Sequence, residues 1–314
     1  MLVNIEDRGA WHELDVLSSR REPFAVNDDP SHVAQWIHSV YIVTQRDADL
    51  LRAIQTTLRR NGATKRHWLA VDGAANTGKS EMLLRFAIGF QRDTDPAPCD
   101  DFVRLPIIYV QADSGQQGAG LLRAIAEFAG VPSLGNEDQL RRRLARVLPR
   151  LGTVIVIVDD AHMLRRASDR ATRLSDSLRA TLRLPVTFIF AGAGMHGSAL
   201  LRIGGPEGYE STDQLRSRHT MLKFEPLRLP RDKDFLRRLL GDYLKTLGAL
   251  LPHLQTPFRS DNAALTKLID LTGGKIGAVM GVLKDGTIEA YRSGTPLTSE
   301  LLLTLASPET TPAP

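Results

Sequence analysis

Gly73-Ala-Ala-Asn-Thr-Gly-Lys-Ser80 is the stretch that decides the fold of this 314-residue chain. It follows the apolar run Trp68-Leu-Ala-Val71 and precedes Glu81-Met-Leu-Leu-Arg-Phe-Ala87, whose apolar spacing is helical. A glycine, four residues and Gly-Lys-Ser between a strand and a helix form the pattern of a P-loop, or Walker A motif. Its glycines let the backbone curl so that N–H groups surround phosphate oxygens. The stretch therefore predicts a nucleotide-binding site.

Each part of the P-loop has an expected role in holding ATP and Mg²⁺. Lys79 is expected to reach the β- and γ-phosphates, and the Ser80 hydroxyl is expected to ligate Mg²⁺. The alternative is a chance glycine turn, which the strand before the loop and the helix after it argue against. The expected nucleotide contacts are Gly73, Ala74, Ala75, Asn76, Thr77, Gly78, Lys79, Ser80 and Glu81.

A second apolar run, Val154-Ile-Val-Ile-Val158, ends in two carboxylates. This is the form of a Walker B strand, which brings acidic groups to the nucleotide. Asp159 is expected to hold Mg²⁺, and Asp160 is expected to polarise the attacking water. An ordinary polar loop after a strand is the alternative interpretation.

Short apolar runs alternate with segments of helical spacing along residues 46–230. Alternation of this kind predicts an α/β fold, with a parallel five-stranded sheet between helices. One run lies between the P-loop and the acidic strand, as in AAA+ and RecA-like proteins. The five predicted strands cover residues 68–71, 106–110, 154–158, 186–190 and 221–224.

Strand patterns stop after Pro230, and helical spacing follows in 234–247 and 262–291. Breaks are expected at Thr272-Gly-Gly274 and at Asp285-Gly286. The predicted organisation is an N-terminal arm over 1–45, an AAA+ P-loop core over 46–230, a small helical lid domain over 231–305 and a disordered tail over 306–314.

Composition excludes several classes of protein. The longest wholly apolar run is far shorter than the roughly 18 residues of a membrane span, and the charged N-terminus has no secretion signal. Cys99 is the single cysteine, so an internal disulfide is excluded and a cytoplasmic protein is expected. Residues 121–183 hold 12 arginines against 7 acidic residues, a candidate nucleic-acid footprint. A solvated, arginine-rich helix surface is the alternative.

Several motifs together resemble the TniB/TnsC family of AAA+ transposition ATPases, over most of residues 35 to 305. They are Ile107-Ile-Tyr-Val-Gln-Ala-Asp113, Asp159-Asp-Ala-His162, Ala191-Gly-Ala-Gly194, Leu215-Arg-Ser-Arg218 and Thr272-Gly-Gly-Lys-Ile-Gly277, with the segments 290–294 and 297–303. The P-loop and the acidic strand are common to many ATPases. The lid and the stretch 215–226 are the specific part of the resemblance.

The resemblance implies an ATPase that oligomerises as a ring or helical filament on duplex DNA of any sequence. It implies that Arg218 or Arg216 projects into the neighbouring subunit's nucleotide, and that Lys275 senses phosphate from the lid. A transposase and a target-selection protein are the implied partners. The implied DNA contacts are Gln116, Gln117, Arg123 and Arg142, for which an ordinary solvent-facing loop and helix surface are the alternative.

Two departures from the usual ATPase pattern lead to an expectation of slow hydrolysis. Asp160 stands where such ATPases usually have glutamate, so its carboxylate is one methylene shorter. The strand end Ala191-Gly-Ala-Gly194 offers no Asn or Thr to sense the γ-phosphate, although Thr187 lies earlier in that strand. Two further functions stay open at this point. One is a signalling or defence ATPase that switches a protein partner without DNA, and the other is a helicase loader or replication initiator.

Overall fold

The structure is a computed structural model, and it describes residues 29–61, 66–94, 104–113, 118–164, 180–195, 218–257 and 262–307. The chain divides into two compact units. The first contains Met1–Asn4, Gln45–Ala75 and Lys79–Phe224; the second contains Ile5–Thr44, Asn76–Gly78 and Glu225–Pro314. The predicted tail beyond Ser307 and residues 1–28 of the predicted arm lie outside the described residues.

The first unit alternates strands with helices, as its sequence predicts. Its elements in chain order are α2 (Gln45–Arg60), β1 (Trp68–Gly73), α3 (Lys79–Thr94), β2 (Ile107–Gln111), α4 (Gly118–Phe128), α5 (Glu137–Arg150), β3 (Ile155–Asp159), β4 (Thr187–Gly192) and β5 (His219–Phe224). Three of the predicted strands begin one residue later than expected, at Ile107, Ile155 and Thr187. The residue before each of these strands belongs to the preceding loop.

The five strands form one parallel sheet in the order β2-β3-β4-β1-β5. Strand β4 therefore separates the P-loop strand from the acidic strand. Ala70 and Val158 both lie level with Phe190, one on each side of it. The predicted α/β fold with a parallel five-stranded sheet is confirmed.

Burial on both faces explains why the strands are continuous apolar runs. Every residue of β3 is buried, and so is every residue of β4. Helix α5 covers this core with Leu140, Leu144 and Leu148, all fully buried. It begins at a capping box between Asn136 and Gln139, whose side chains each accept an amide hydrogen from the other residue.

The second unit is helical in its described part. Its helices are α1 (Pro30–Ser39), α6 (Lys233–Leu250), α7 (Asn262–Leu271), α8 (Ile276–Ser293) and α9 (Ser299–Ala306). Trp36 and Ile37 of α1 belong to the same apolar cluster as Tyr243 of α6. The Tyr243 hydroxyl lies 2.9 Å from the Thr287 hydroxyl of α8, so this buried polar pair is satisfied. The domain boundaries predicted from the sequence stay a prediction.

Of the two helix breaks expected in the lid segment, one is present and one is wrong. Helix α7 ends before Thr272-Gly-Gly274, where Gly273 and Gly274 have φ of +59° and +67°. Helix α8 runs unbroken through Asp285 and Gly286. A Cβ atom on Gly286 would lie 2.5 Å from Leu302 Cδ2, so this glycine allows α9 to pack closely and does not end a helix.

No helix in the described residues is both long enough and apolar enough to span a membrane.

Candidate nucleotide-binding site

The carboxyl ends of β1, β3 and β4 meet at one edge of the sheet because the strands are parallel. We call this the carboxyl edge. It brings together the P-loop that follows β1 and the acidic pair that ends β3. Asp159 and Val71 lie one residue beyond the Val158 and Ala70 that flank Phe190, so they are at the same level across β4.

The P-loop has the backbone shape that its glycines predict. Asn76 and Gly78 have φ of +61° and +85°, in the region that favours glycine and tolerates asparagine. Thr77 is fully buried, and Ala74, Ala75, Asn76 and Ser80 are exposed. The exposed residues leave the outer side of the loop accessible to a ligand.

Lys79 begins α3 and is buried, with 8% of its surface exposed. Its Nζ donates hydrogen bonds to the carbonyl oxygens of Gly73 and Ala74, at 2.7 and 2.8 Å. Burial lowers the pKa of Lys79, and the nearby charges of Asp159, Asp160 and Asp72 oppose this shift. The ammonium group therefore lies within electrostatic reach of the acidic strand, as a phosphate-binding lysine must.

Asp159 is held by two donors at the end of β3. The Tyr109 hydroxyl donates to its Oδ2 at 2.6 Å, and the Asp160 amide donates to its Oδ1 at 2.9 Å. Burial raises the pKa of Tyr109, and the charge of Asp159 raises it further, so the phenol stays protonated and keeps donating. Asp159 itself is 2% exposed. Its carboxylate is thereby fixed in one orientation.

The residues present fit a Mg²⁺ ion that binds together with nucleotide. No group of three or more His, Cys, Asp or Glu side chains in the described residues is arranged to hold a metal by itself. Mg²⁺ commonly takes one or two protein oxygens and completes its shell with phosphates and water. Asp159 and Ser80 offer that kind of partial set, a fixed carboxylate and an exposed hydroxyl.

Asp160 is more accessible than Asp159, and its side chain is 36% exposed. Its backbone is left-handed, with φ of +50°, and it begins the short 3₁₀ turn Ala161–Met163. Gln111 Nε2 donates to its Oδ2 at 2.7 Å, and His162 Nδ1 lies 3.9 Å from its Oδ1. The carboxylate is thus accessible to solvent water but is held on one oxygen by the last residue of β2.

The end of β4 requires its glycine for a steric reason. A Cβ atom on Gly192 would lie 2.9 Å from Met195 Sδ and 3.0 Å from the His162 amide nitrogen. Thr187 lies at the other end of β4, where its hydroxyl accepts a hydrogen bond from the Asn61 side chain. At roughly 3.3 Å per residue it is some 16 Å from Gly192, so it is not placed to sense a γ-phosphate bound at the carboxyl edge.

Within the second unit, the tip of the P-loop lies against the start of α8. The Gly277 amide donates to the Asn76 carbonyl at 2.8 Å, and a Cβ atom on Gly277 would lie 2.7 Å from that same oxygen. Lys275 is the N-cap residue of α8 and is half-buried. The structure therefore places Lys275 two residues from a P-loop contact, and its sensing role stays a prediction.

Arg218 lies at the opposite end of the sheet from the P-loop of its own chain. Its carbonyl accepts a hydrogen bond from the Trp68 amide at 3.0 Å, directly before β5, whereas Gly73 pairs with Phe224 at the far end of that strand. Six residues of strand separate the two levels by roughly 20 Å. Arg218 is therefore not placed to contact a nucleotide at the P-loop of its own chain. Arg216 lies outside the described residues.

The predicted DNA contacts that the structure describes are Arg123 and Arg142, and both are exposed. Gln116 and Gln117 lie outside the described residues, and Arg123 is exposed on α4. In the run on α5, Arg141 forms ion pairs with Glu137 and Asp138, and Arg143 donates to the carbonyls of Pro132 and Leu134. Arg142 is exposed, and no ion pair to it is found within the described residues.

Sequence reasoning missed three residues of this site. Tyr109 and Gln111 lie on β2, within Ile107-Ile-Tyr-Val-Gln-Ala-Asp113, a motif in which neither residue was predicted to have a role. Asp72, the residue before the P-loop, accepts a hydrogen bond from the Met195 amide at 3.0 Å and contributes to the charge around Lys79. Its position before Gly73 was the only available signal. The two β2 residues needed the pairing of β2 with β3.

Comparison with known proteins supports this interpretation of the fold. Residues 59–196 match the protein family described as an AAA domain, and these residues contain the P-loop and the acidic strand. No curated protein sequence matches the chain.

Several solved structures have a similar fold. The ORC2 protein of Aeropyrum pernix, in ADPNP and ADP complexes, is 14% identical with a TM-score of 0.55, over 93% of this chain and 70% of that one. The Aeropyrum pernix ORC1 protein in complex with DNA is 18% identical with a TM-score of 0.53, over 91% and 68%. A Walker-type ATPase of Pyrococcus abyssi is 16% identical with a TM-score of 0.53, over 86% and 72%. Residues 59–196 therefore resemble an AAA domain, and the chain has the AAA+ fold.

Proposed function

We propose that this chain binds ATP and Mg²⁺ at the carboxyl edge and hydrolyses ATP slowly. The observation that carries the proposal is the meeting of Lys79, Asp159 and Asp160 at the end of a sheet with AAA+ strand order. A buried lysine at the start of the helix after the P-loop, within electrostatic reach of two carboxylates, suits the charges of a nucleoside triphosphate and its metal.

The side chains divide the work of hydrolysis among them. Lys79 neutralises charge on the β- and γ-phosphates, and Ser80 and Asp159 hold the metal. Mg²⁺, when bound, withdraws charge from the phosphate oxygens. Asp160 orients the attacking water in line with the bond that breaks. Its carboxylate is a methylene shorter than glutamate and is bonded to Gln111, so it holds that water poorly. A misplacement of about 1 Å can cost on the order of 100-fold in rate.

Arg218 is proposed to act on the nucleotide of a neighbouring subunit. Its position at the amino end of β5 keeps it away from its own P-loop. An arginine supplied in trans stabilises the charge of the transition state and makes hydrolysis depend on assembly. The proposal therefore includes a homo-oligomer, a ring or a helical filament, in which ATP lies between subunits.

The biological role that we propose is regulation of DNA transposition. The assembly forms with ATP on duplex DNA of any sequence, marks a target and recruits a transposase, and hydrolysis then releases it. Support comes from the motifs that resemble the TniB/TnsC family, especially the stretch 215–226 and the lid. The Aeropyrum pernix ORC1 protein, of similar fold, is described in complex with DNA, which is a reason to test DNA first.

The test is ATP-dependent binding to plain duplex DNA, followed by capture of a transposase. Binding should need ATP, tolerate any sequence and weaken steeply with salt, because the contacts are to phosphates. A transposase encoded beside this chain should bind the DNA-bound assembly only with ATP present. If ATP instead promotes binding to a protein while DNA stays unbound, the chain is a signalling or defence switch and the transposition role is wrong.

A further inference from the structure

An arginine precedes each of the five strands of the sheet. In the spatial order of the strands these are Arg104 before β2, Arg150 before β3, Arg183 before β4, Arg66 before β1 and Arg218 before β5. Because all five strands are parallel, their amino ends meet at one edge. We call it the amino edge. It lies opposite the carboxyl edge, where the nucleotide is proposed to bind.

Hydrogen bonds fix the connections that carry three of these arginines. The Leu105 amide donates to the Leu151 carbonyl at 2.7 Å, so the residues before them in sequence, Arg104 and Arg150, come from adjoining connections. The Thr153 hydroxyl donates to the Leu105 carbonyl at 2.7 Å. Arg183 lies in a hydrogen-bonded turn, in which its own amide donates to Ala180. Backbone hydrogen bonds therefore hold the segments that carry these three arginines.

Among the described residues, the β2–β3–β4 part of the amino edge is basic. Arg104, Arg150 and Arg183 are exposed, and no ion pair to any of them is found in the part of the chain that is described. The described connections that lead from them into β2, β3 and β4 contain no aspartate or glutamate. The three arginines lie three, five and four residues before β2, β3 and β4, which are neighbours in the sheet.

Arginines continue from this edge along the exposed surface of α5. Arg146 and Arg142 precede Arg150 by one and two helical turns and are exposed. The opposite face of α5 is anchored by its three fully buried leucines. Arg141 on the same helix forms ion pairs with Glu137 and Asp138, whereas Arg142, Arg146 and Arg150 have no ion pair with any residue that the structure describes.

We propose that Arg104, Arg150 and Arg183 bind the phosphate backbone of duplex DNA. This inference rests on the proposed function, because it identifies the surface that would bind DNA. Guanidinium groups pair with phosphates bidentately and need no base contact, which suits binding without sequence preference. A protein partner would be anchored by buried aromatic or apolar groups. The described connections of this part of the edge expose one large apolar side chain, Val154, at 43%.

The amino edge is a different surface from the one predicted from the sequence to bind DNA. Gln116 and Gln117 follow the carboxyl end of β2 in the sequence, whereas Arg104 precedes the amino end of the same strand. The two proposals assign DNA to residues on opposite sides of β2 in the sequence, so variants can tell them apart. Gln116→Ala with Gln117→Ala is the comparison variant.

The experiment measures duplex DNA affinity by fluorescence anisotropy over a salt series, with ATP present. The test variant carries Arg104→Gln, Arg150→Gln and Arg183→Gln. The control carries Arg52→Gln, Arg92→Gln and Arg237→Gln, which removes the same charge from exposed arginines elsewhere. Loss of three phosphate contacts should weaken binding at least about 10-fold and flatten the slope of log affinity against log salt by about 2.7. The control should keep the parental slope.

The outcomes separate this proposal from the function on which it rests. ATP binding by each variant reports that the site and the fold are intact, and Arg150→Glu alone serves if the triple variant does not fold. If the parent binds DNA and the test variant shows the same salt dependence of DNA affinity as the parent, the proposal for the amino edge is wrong but the proposed function stands. A parent that does not bind DNA at all overturns both proposals. Loss of transposase binding with unchanged DNA binding would make the edge a protein surface and would also overturn the proposal.

Discussion

The two edges of the sheet differ in the sign of their charge. The carboxyl edge gathers Asp72, Asp159 and Asp160 around one buried lysine, and the amino edge carries an arginine before every strand. A parallel sheet makes this separation easy, since every strand brings its two ends to the same two places. The acids proposed to bind Mg²⁺ and ATP therefore lie about 20 Å from the arginines proposed to bind DNA, a distance over which the two sets of charges are largely screened from each other.

The largest expected effect comes from removing the buried lysine of the P-loop, Lys79. Lys79→Ala removes the single cationic side chain of the P-loop sequence and takes its positive charge away from the nearby carboxylates. We expect ATP affinity to fall at least about 1,000-fold, with loss of every ATP-dependent property. Titration with a fluorescent ATP analogue measures it, and Lys245→Ala on α6 is the control. Unchanged affinity would rule out the ATPase assignment.

Next in size is Arg218→Ala, which tests whether the two edges meet across a subunit boundary. Arg218 lies at the amino edge, so its removal should spare ATP binding by the isolated subunit. Turnover in the assembled state should fall about 1,000-fold, and assembly should weaken. Phosphate release measured against protein concentration distinguishes the two effects. Arg60→Ala, at the same edge and bonded to Thr220, should behave like the parent. If turnover fell equally in Arg218→Ala and Arg60→Ala, the loss of a positive charge at this edge would explain the effect, and Arg218 would have no specific role.

Asp160→Asn should separate binding from hydrolysis within the carboxyl edge. The amide keeps the shape of the side chain and loses the charge that orients water, so turnover should fall on the order of 100-fold while ATP binding and assembly persist. Asp159→Asn is the matched variant, and it should weaken Mg²⁺-dependent ATP binding. Steady-state phosphate release, with and without DNA, decides. Hydrolysis at the parental rate in Asp160→Asn would remove Asp160 from the mechanism.

The smallest expected effect tests whether Tyr109 of β2 positions the carboxylate of Asp159. Tyr109→Phe removes the donor to Asp159 and leaves the ring, so the carboxylate loses its fixed orientation. The Mg²⁺ concentration needed for half-maximal ATP binding should rise about 10-fold, since partners of metal ligands commonly carry that much affinity. ATP binding without metal should not change, which a purely structural role would not predict. Tyr291→Phe in the second unit is the control.

The carboxyl edge was largely predictable because its residues are adjacent in sequence. Gly73 to Ser80 is one continuous stretch, and Asp159 and Asp160 end a single apolar run, so a motif and a strand pattern were sufficient. Gln111 and Asp160 are 49 residues apart, and only the pairing of β2 with β3 brings them together.

The amino edge could not be predicted in the same way. Its arginines lie in separate connections, and the sequence does not state the order in which the strands pair. The net charge of 121–183 indicated a basic region, but charge counting does not distinguish Arg141, which has acidic partners, from Arg150, which has none in the described residues. The helix break expected at Gly286 was wrong for a similar reason. A glycine that lets a second helix pack closely cannot be told from a glycine that ends a helix by its neighbours in sequence.

The central claim is that nucleotide at the carboxyl edge and DNA at the amino edge are energetically coupled. The most direct measurement is a linkage titration, in which DNA affinity is measured with saturating ATP and without nucleotide, and ATP affinity is measured with and without DNA. Thermodynamic reciprocity requires the two ratios to be equal, and we predict a value of about 10 or more. Equal DNA affinity in the presence and absence of ATP would contradict the claim.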